Sequence, residues 1–394
     1  MILETVEKQK VLIVHNYYQI PGGEDTVVAN EKRLLEEHGH EVFLYTRNNQ
    51  ELNKLSKIQK ILLPVTTIFN LRTYREVKNI IKEKNINIVH VHNTLNLISP
   101  SVYYAAFHTH KPIVQTVHNF RLLCPGATFY RDGEVCEECL EKNIWHALKY
   151  NCYRNSKLQT AASVICTVIH RLIGTYKKLN YICLTEFNRN KLIQSKKFKE
   201  ERIYIKPNYV GADSIPMPYA KRKNCYVYAG RLEPLKGTEI LVKAWEKIGT
   251  EDKLILCGTG PMEAWCKEYI QEHGITNIVM LGRIPNTEVR KIISESKALI
   301  LPTQCYEGFP MTVAEAYSVG TPVIGSDLGN TGDLILNGVT GYKVNRHSEE
   351  AIVSAIKNMK DMVQECYGYY QKYLTSESNY EELYKIYCKI EGDN

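Results

Sequence analysis

The chain has 394 residues, too many for one compact core and suited to two α/β domains. Its 44% hydrophobic and 24% charged content, without low-complexity tracts or short-period repeats, excludes disordered and fibrous classes. A net charge of +7 favours anionic partners such as nucleotide diphosphates or phospholipid head groups, while the lack of any zinc-finger, RNP or basic-zipper pattern argues against nucleic acid.

The start, MILETVEKQKVLIVHNYY, runs through charged residues into a strand-like segment, so no leader is read there. The apolar stretch from Ala161 to Ile173 is interrupted by His170 and Arg171 and falls short of the roughly 20 residues of a membrane span. A cytosolic protein is expected, with its twelve cysteines as thiols or metal ligands. The excess of Tyr over Phe is read as composition bias.

Strand and helix patterns alternate from the beginning. Val11 to His15 is a buried-strand run broken by Pro21, Gly22 and Gly23. Thr26 to His38 reads as an amphipathic helix stopped by Gly39, and Glu41 to Thr46 as a second strand. Ile86 to His92 and Pro112 to His118 read as further strands. A second series begins near Cys225. CYVYAG, KLILCG, NIVMLG, ALILPT and PVIGS are its strands, and EILVKAWEKI and PMEAWCKEYIQEHG are helices between them. Such alternation predicts two doubly wound α/β domains with parallel strands, linked within Lys206 to Pro218. The tyrosine-rich segment after Glu365 is helical in pattern and too short to be a domain.

Binding residues of a doubly wound sheet gather at the carboxyl edge of its strands. In the second series, AGRLEPLKG places Arg231 and Lys236 just after a strand, with Gly230 and Gly237 keeping the backbone open. A guanidinium and an ammonium converging there suit a diphosphate. CGTGP supplies a glycine-rich turn at Gly258 and Gly260. The strongest segment is QCYEGFPMTVAEAYSVGTPVIGSDLGN. Pro310 sits where a helix would start, and amides near Met311 and Thr312 would face a phosphate. Glu307 precedes that helix, next to Gly308 and Phe309, and Glu315 lies eight positions on. One carboxylate can face a sugar and the other a ribose diol.

Glu307-x7-Glu315, Arg231 with Lys236-Gly237, the downstream GTPVIGSDLGN and LNGVTGYKV runs, and the Gly22-Gly23 loop together resemble the family-4 retaining glycosyltransferases with the GT-B fold. The resemblance implies two Rossmann-like domains facing each other across a cleft. Residues 1–207 would be the acceptor side, 208–364 the nucleotide-sugar donor domain, and 365–394 a helical segment packing back on the first domain. It also implies that Arg231 and Lys236 hold the donor diphosphate, that Glu307 contacts the donor sugar, and that Glu315 contacts the ribose. The Gly22-Gly23 loop would close over the reaction centre, and His118, at a strand end before Asn119 and Arg121, would lie beside the donor sugar. No D-x-D occurs, so no metal or cofactor is expected to be required, and the leaving diphosphate would rely on Arg231, Lys236 and the helix start near Met311. The expected partners are a nucleotide-diphosphate sugar and a saccharide or lipid-linked saccharide, within bacterial surface polysaccharide synthesis at the inner membrane face. A nucleotide-sugar epimerase or hydrolase is the rival reading.

Two features stay open. Cys124, Cys136, Cys139 and Cys152, with one Cys-x-x-Cys, suit either a structural zinc or reduced thiols in a loop. The basic segment from Arg189 to Lys206 and the stretch KLSKIQKILLPVTTIF suit either an anionic membrane surface or a solvated face.

Overall fold

The computed structural model describes residues 7–19, 22–211, 215–249 and 251–392. Pro21 and part of the expected linker, residues 212–214, lie outside them. The chain divides into two compact units. The first comprises the chain up to Ala127, Glu137–Lys206, and the end from Tyr380; the second comprises Thr128–Cys136 and Pro207–Asn379.

The first unit holds β1 (Lys10–Tyr17), β2 (Glu41–Asn48), β3 (Ile88–Asn93) and β4 (Ile113–Val117). The short hairpin β5 (Tyr130–Arg131) and β6 (Glu134–Val135) follows in sequence but belongs to the second unit. The first sheet is completed by β7 (Asn180–Cys183) and β8 (Ile203–Ile205), giving the order β2-β1-β3-β4-β7-β8, parallel throughout. The second unit holds β9 (Cys225–Ala229), β10 (Lys253–Cys257), β11 (Ile278–Gly282), β12 (Ala298–Leu301), β13 (Val323–Ser326) and β14 (Gly341–Val344). Their order is β11-β10-β9-β12-β13-β14, again parallel. Two doubly wound parallel sheets, the α/β architecture expected, are thus present.

The run Val11–Val14 and the strands β3 and β12 are buried on both faces, which is why they read as continuous apolar runs. In β9, alternation sends Tyr226 and Tyr228 to one core with Trp245, while Val227 and Ala229 join another with Tyr317 and Tyr370. Trp245 is fully buried and meets Tyr226 edge-on at 5.6 Å.

The first helix runs Gly23–Glu37, three residues earlier than expected, because the Asp25 carboxylate accepts the Gly22 amide at 3.0 Å and fixes an earlier start. Residues 365–379, expected to return to the first domain, stay with the second unit. There Cys366, Tyr370 and Leu374 enter its core, and Tyr370 Oη donates to the Val210 carbonyl at 3.1 Å. From Tyr380 the last helix belongs to the first unit, with Tyr380 meeting His40 and Tyr387 meeting His90.

Each sheet has a point where the chain reverses direction across it, between β1 and β3 and between β9 and β12. Ligands of open α/β sheets bind beyond the strand ends there. Trp245 tests the second core. Trp245→Ala is expected to destabilise by about 3–5 kcal/mol in urea denaturation. Trp245→Phe should lose much less, since the indole N–H, buried without a partner among the described residues, contributes no bond.

Candidate active site

At the β9–β12 reversal the chain leaves β9 through Gly230 and Arg231 and turns through Pro234–Lys236. Gly237 follows with φ +72°, and a Cβ there would lie 1.8 Å from the Pro302 carbonyl oxygen, so only glycine lets this turn lie against the end of β12. That close approach delivers Lys236 to Glu307. Lys236 Nζ donates to both carboxylate oxygens at 2.7 Å, and Thr303 Oγ1 donates to Oε1 at 2.9 Å. Burial lowers the Lys236 pKa, but the Glu307 charge and hydrogen bonds outweigh it, and the ammonium is held above its ordinary range. Asn330 Nδ2 donates to the carbonyls of Glu307 and Gly308 and pins the loop.

The other expected donor residues are placed as follows. Arg231 is exposed, with Nη2 3.5 Å from Glu233. Glu315, half-buried on the Met311–Ser318 helix, accepts from Asn286 Nδ2 at 3.0 Å. Pro310 caps that helix, and the Val313 amide turns back to the Pro310 carbonyl at 2.9 Å, so the Met311 and Thr312 amides open the helix start. Phe309, half-buried, packs against the adjoining core. A Cβ on Gly258 would lie 1.9 Å from the Gly230 carbonyl, and one on Gly260 2.3 Å from that of Leu232. These glycines therefore seat their turn against the Arg231 loop. Glu233, Thr303 and Asn330 were not singled out from sequence, because each acts through a contact that folding creates.

The hairpin β5–β6 adds to this unit although its sequence lies among the cysteines of the first. Phe129 is fully buried against Tyr306, ring centroids 5.9 Å apart, and Glu134 pairs with Arg346. Arg346 in turn donates to the Gln304 carbonyl at 2.8 Å. Cys136 therefore lies in the second unit, and Cys124, Cys139 and Cys152 in the first. Among the described residues no disulfide forms. The sole His, Cys, Asp and Glu group there with at least three ligand atoms mutually within 4.8 Å is Glu31, His90 and His92, and no cysteine belongs to it. Lys206 Nζ already sits 3.0 Å from Glu31, so this is a hydrogen-bonded ion cluster with its cation in place.

In the first unit, β3 and β4 end at a cavity of about 70 Å³ bordered by His92, Thr94, Gln115, His118, Asn119 and Arg121. His118 Nε2 lies 2.9 Å from His92 Nδ1. Burial and the neighbouring His92 push the His118 pKa well down, so the ring is neutral. Gly22 precedes the first helix with an extended backbone, and a Cβ there would meet nothing within 4 Å. Gly23 is the first residue of that helix, whose next two residues are acidic. Asp25 accepts from His15 Nε2 at 2.8 Å, and Tyr18 Oη donates to Glu24 at 2.8 Å. Burial pushes the Glu24 carboxyl up to about 8, against the lowering pull of the Tyr18 hydrogen bond.

A doubly wound sheet that sets an ammonium, a guanidinium and a helix start at its reversal point offers positive potential at the edge where open α/β sheets take ligands. Residues 216–366 match the model of Glycosyl transferases group 1, and residues 21–213 that of Glycosyltransferase Family 4. With these two matches spanning most of its length, the chain belongs to the GT-B glycosyltransferases. A curated relative, the glycogen synthase of Mycobacterium tuberculosis, is 26% identical over 162 residues, 38% of each chain, so the chain spans well under half of that relative's length. Two solved structures share the fold across nearly all of both chains. The apo lipopolysaccharide outer core galactosyltransferase WaaB has a TM-score of 0.68 at 17% identity, covering 96% of this chain and 99% of its own. Anabaena Alr3699/HepE in complex with UDP has a TM-score of 0.66 at 15% identity, covering 96% and 100%.

Glu24 yields a pH test. A carboxyl whose folded pKa is raised contributes stability that is fully present below its unfolded pKa and lost as pH rises through its folded value of about 8. Glu24→Gln removes that loss. Its melting temperature relative to wild type should therefore rise between about pH 5 and pH 8 and level off above about pH 9. Differential scanning calorimetry across that range checks it.

Proposed function

We propose that the protein transfers a sugar from a nucleotide-diphosphate donor to a lipid-linked saccharide, with retention of configuration and without a required metal ion. The observation that carries this reading is the Lys236–Glu307 pair at 2.7 Å beside the start of the Met311–Ser318 helix. A diphosphate entering there takes a share of the ammonium from Glu307, which is left to accept sugar hydroxyls. The exposed Arg231 and the Met311 and Thr312 amides add positive potential. As the anomeric C–O bond breaks, the developing charge on the leaving phosphate falls on these groups. An acceptor oxygen attacks from the same face, and its proton passes to the departing phosphate oxygen. Glu315 serves the ribose, and His118 faces a sugar at the cavity of the first unit. The UDP complex of the HepE neighbour supports a nucleotide donor.

The acceptor reading rests on the first unit. The helices Lys57–Ile68 and Lys157–Leu172 pack together around a groove of about 370 Å³ lined by Leu63, Pro64, Leu158 and Ala162, with Lys60 and Arg154 at its border. It shares Thr67, Leu95 and Ser163 with the cavity beside His118. Ile58, Ile61 and Val65 stand exposed on the first of these helices, which also carries the exposed Lys57 and Lys60, as an apolar and basic face suited to an anionic bilayer. A place for an acceptor favours transfer over the rival epimerase or hydrolase, which needs none. The segment Arg189–Lys206 is a poorer membrane face than its sequence suggests. Arg189 pairs with Glu186 and Glu200, Lys191 with Glu137, and Lys206 is buried on Glu31. The bacterial surface-polysaccharide setting is supported by the WaaB neighbour's name.

Three measurements test these parts. Lys236→Ala should weaken nucleotide-diphosphate binding in calorimetry by roughly ten- to a hundredfold, the worth of one charged hydrogen bond; unchanged affinity removes the donor assignment. Turnover should persist in EDTA, and complete loss restored by manganese would contradict a metal-independent mechanism. Ile58→Ser with Ile61→Ser and Val65→Ser should weaken binding to anionic vesicles roughly tenfold or more while short soluble acceptors still turn over.

A further inference from the structure

The buried cluster beneath His118 is fully bonded and has a defined direction. Glu31, 1% exposed on the Gly23–Glu37 helix, faces His90 Nδ1 at 2.8 Å and His92 Nε2 at 3.1 Å through Oε1, and Lys206 Nζ at 3.0 Å through Oε2. Burial would raise the Glu31 pKa, but His90, Lys206 and His92 outweigh it and hold the carboxyl well below its usual range. An ionised carboxylate only accepts hydrogen bonds, so His92 must carry its proton on Nε2. One carboxylate facing one ammonium leaves no charge to balance an imidazolium, and burial pushes the His92 pKa down to about 4. His92 is therefore neutral, with a lone pair on Nδ1. His118 Nε2, 2.9 Å away, has to be the donor of that bond.

We infer that Glu31 and His92 are positioning residues that fix His118 as the Nε2–H tautomer, so that Nδ1 presents a lone pair to a hydroxyl of the bound sugar. The inference rests on the reading of His118 as facing substrate. Among the described residues Nδ1 accepts no hydrogen bond, while the ring borders the cavity at the end of β4. The rings of His92 and His118 lie nearly parallel, 21° apart with centroids at 5.2 Å, so the bond also sets the plane of His118. The charged and titratable groups around the pair are Glu31, Lys206, His90 and, 6.3 Å from His92, His15. None of them offers His118 a second acceptor. A sugar hydroxyl bound at Nδ1 would thus act as donor, a polarity that the neutral ring could not enforce if both tautomers were open to it.

The test is a long-range proton–nitrogen correlation spectrum of the full-length protein labelled with 15N-histidine, in which protonated and unprotonated ring nitrogens resonate apart. His118→Gln assigns the signals. At pH 7 His118 is expected to be protonated on Nε2 and bare on Nδ1; a proton on Nδ1 overturns the inference without any variant having to fold. In His92→Phe, His118 should show mixed tautomers, and kcat should fall roughly ten- to a hundredfold, as for other outer-shell orienting groups, with the donor KM little changed. A His118 tautomer unmoved in His92→Phe also overturns it. If His118→Gln leaves turnover unchanged while the wild-type spectrum is as expected, the substrate-facing reading of His118 fails, and the inference fails in its sugar contact alone.

Discussion

The carboxylate of Glu31 sits where water does not reach and stays ionised because Lys206, His90 and His92 surround it. Taking such a charge out of water costs several kcal/mol, and the mutual attraction offsets it only when every partner is in place. The partners come from distant parts of the chain. Glu31 is on the first helix, His90 and His92 on β3, and Lys206 follows β8. The Tyr387 hydroxyl of the last helix lies 2.7 Å from His90. A slip of β3 by one residue would turn both histidines to its other face and leave the carboxylate buried and unpaired. Such a cluster adds little stability beyond an apolar core, but it rejects wrong registers, and the native register sets His118 at the cavity.

How far this was legible in sequence depends on whether the signal is local. The alternation of apolar runs with amphipathic segments reports the parallel sheets, because strands buried on both faces and helices buried on one must read that way. The strand β8, with three residues, carries too short a run to stand out, and the basic segment that ends at Lys206 suited either a membrane surface or a solvated face. The hairpin β5–β6 misled for another reason. Its cysteine-rich surroundings suggested one local loop, whereas Phe129 and Glu134 are claimed by Tyr306 and Arg346 far along the chain. In the candidate site, Lys236 and Glu307 were legible through their motif. Glu31, Glu24 and Glu233 were not, since an acidic residue on a helix or turn is ordinarily solvated and only the fold shows otherwise. The pair of histidines two apart in VHVH was the one available hint, because alternate residues share a strand face.

The two units use buried and half-buried charge to opposite ends. Around Glu31 every donor is committed, and burial excludes both water and ligand, so the cluster can orient a neighbour but cannot exchange partners. At Lys236 and Glu307 the same attraction operates between side chains 27% and 13% exposed. On the donor reading proposed above, an entering phosphate would reach the ammonium there and, being more highly charged than a carboxylate, would draw it partly away. The pair thereby solves a problem of the empty site, since a half-buried lysine without a counter-charge would lower its pKa and lose the proton it needs for binding. Glu307 keeps the lysine charged. The Thr303 hydroxyl and the Asn330 bonds to its backbone hold Glu307 in place independently of the lysine. On the donor reading proposed above, the acidic residue of the motif would serve twice, first as counter-ion and then as a sugar contact, and a neutral glutamine at 307 would fail at the first task even where its shape sufficed for the second.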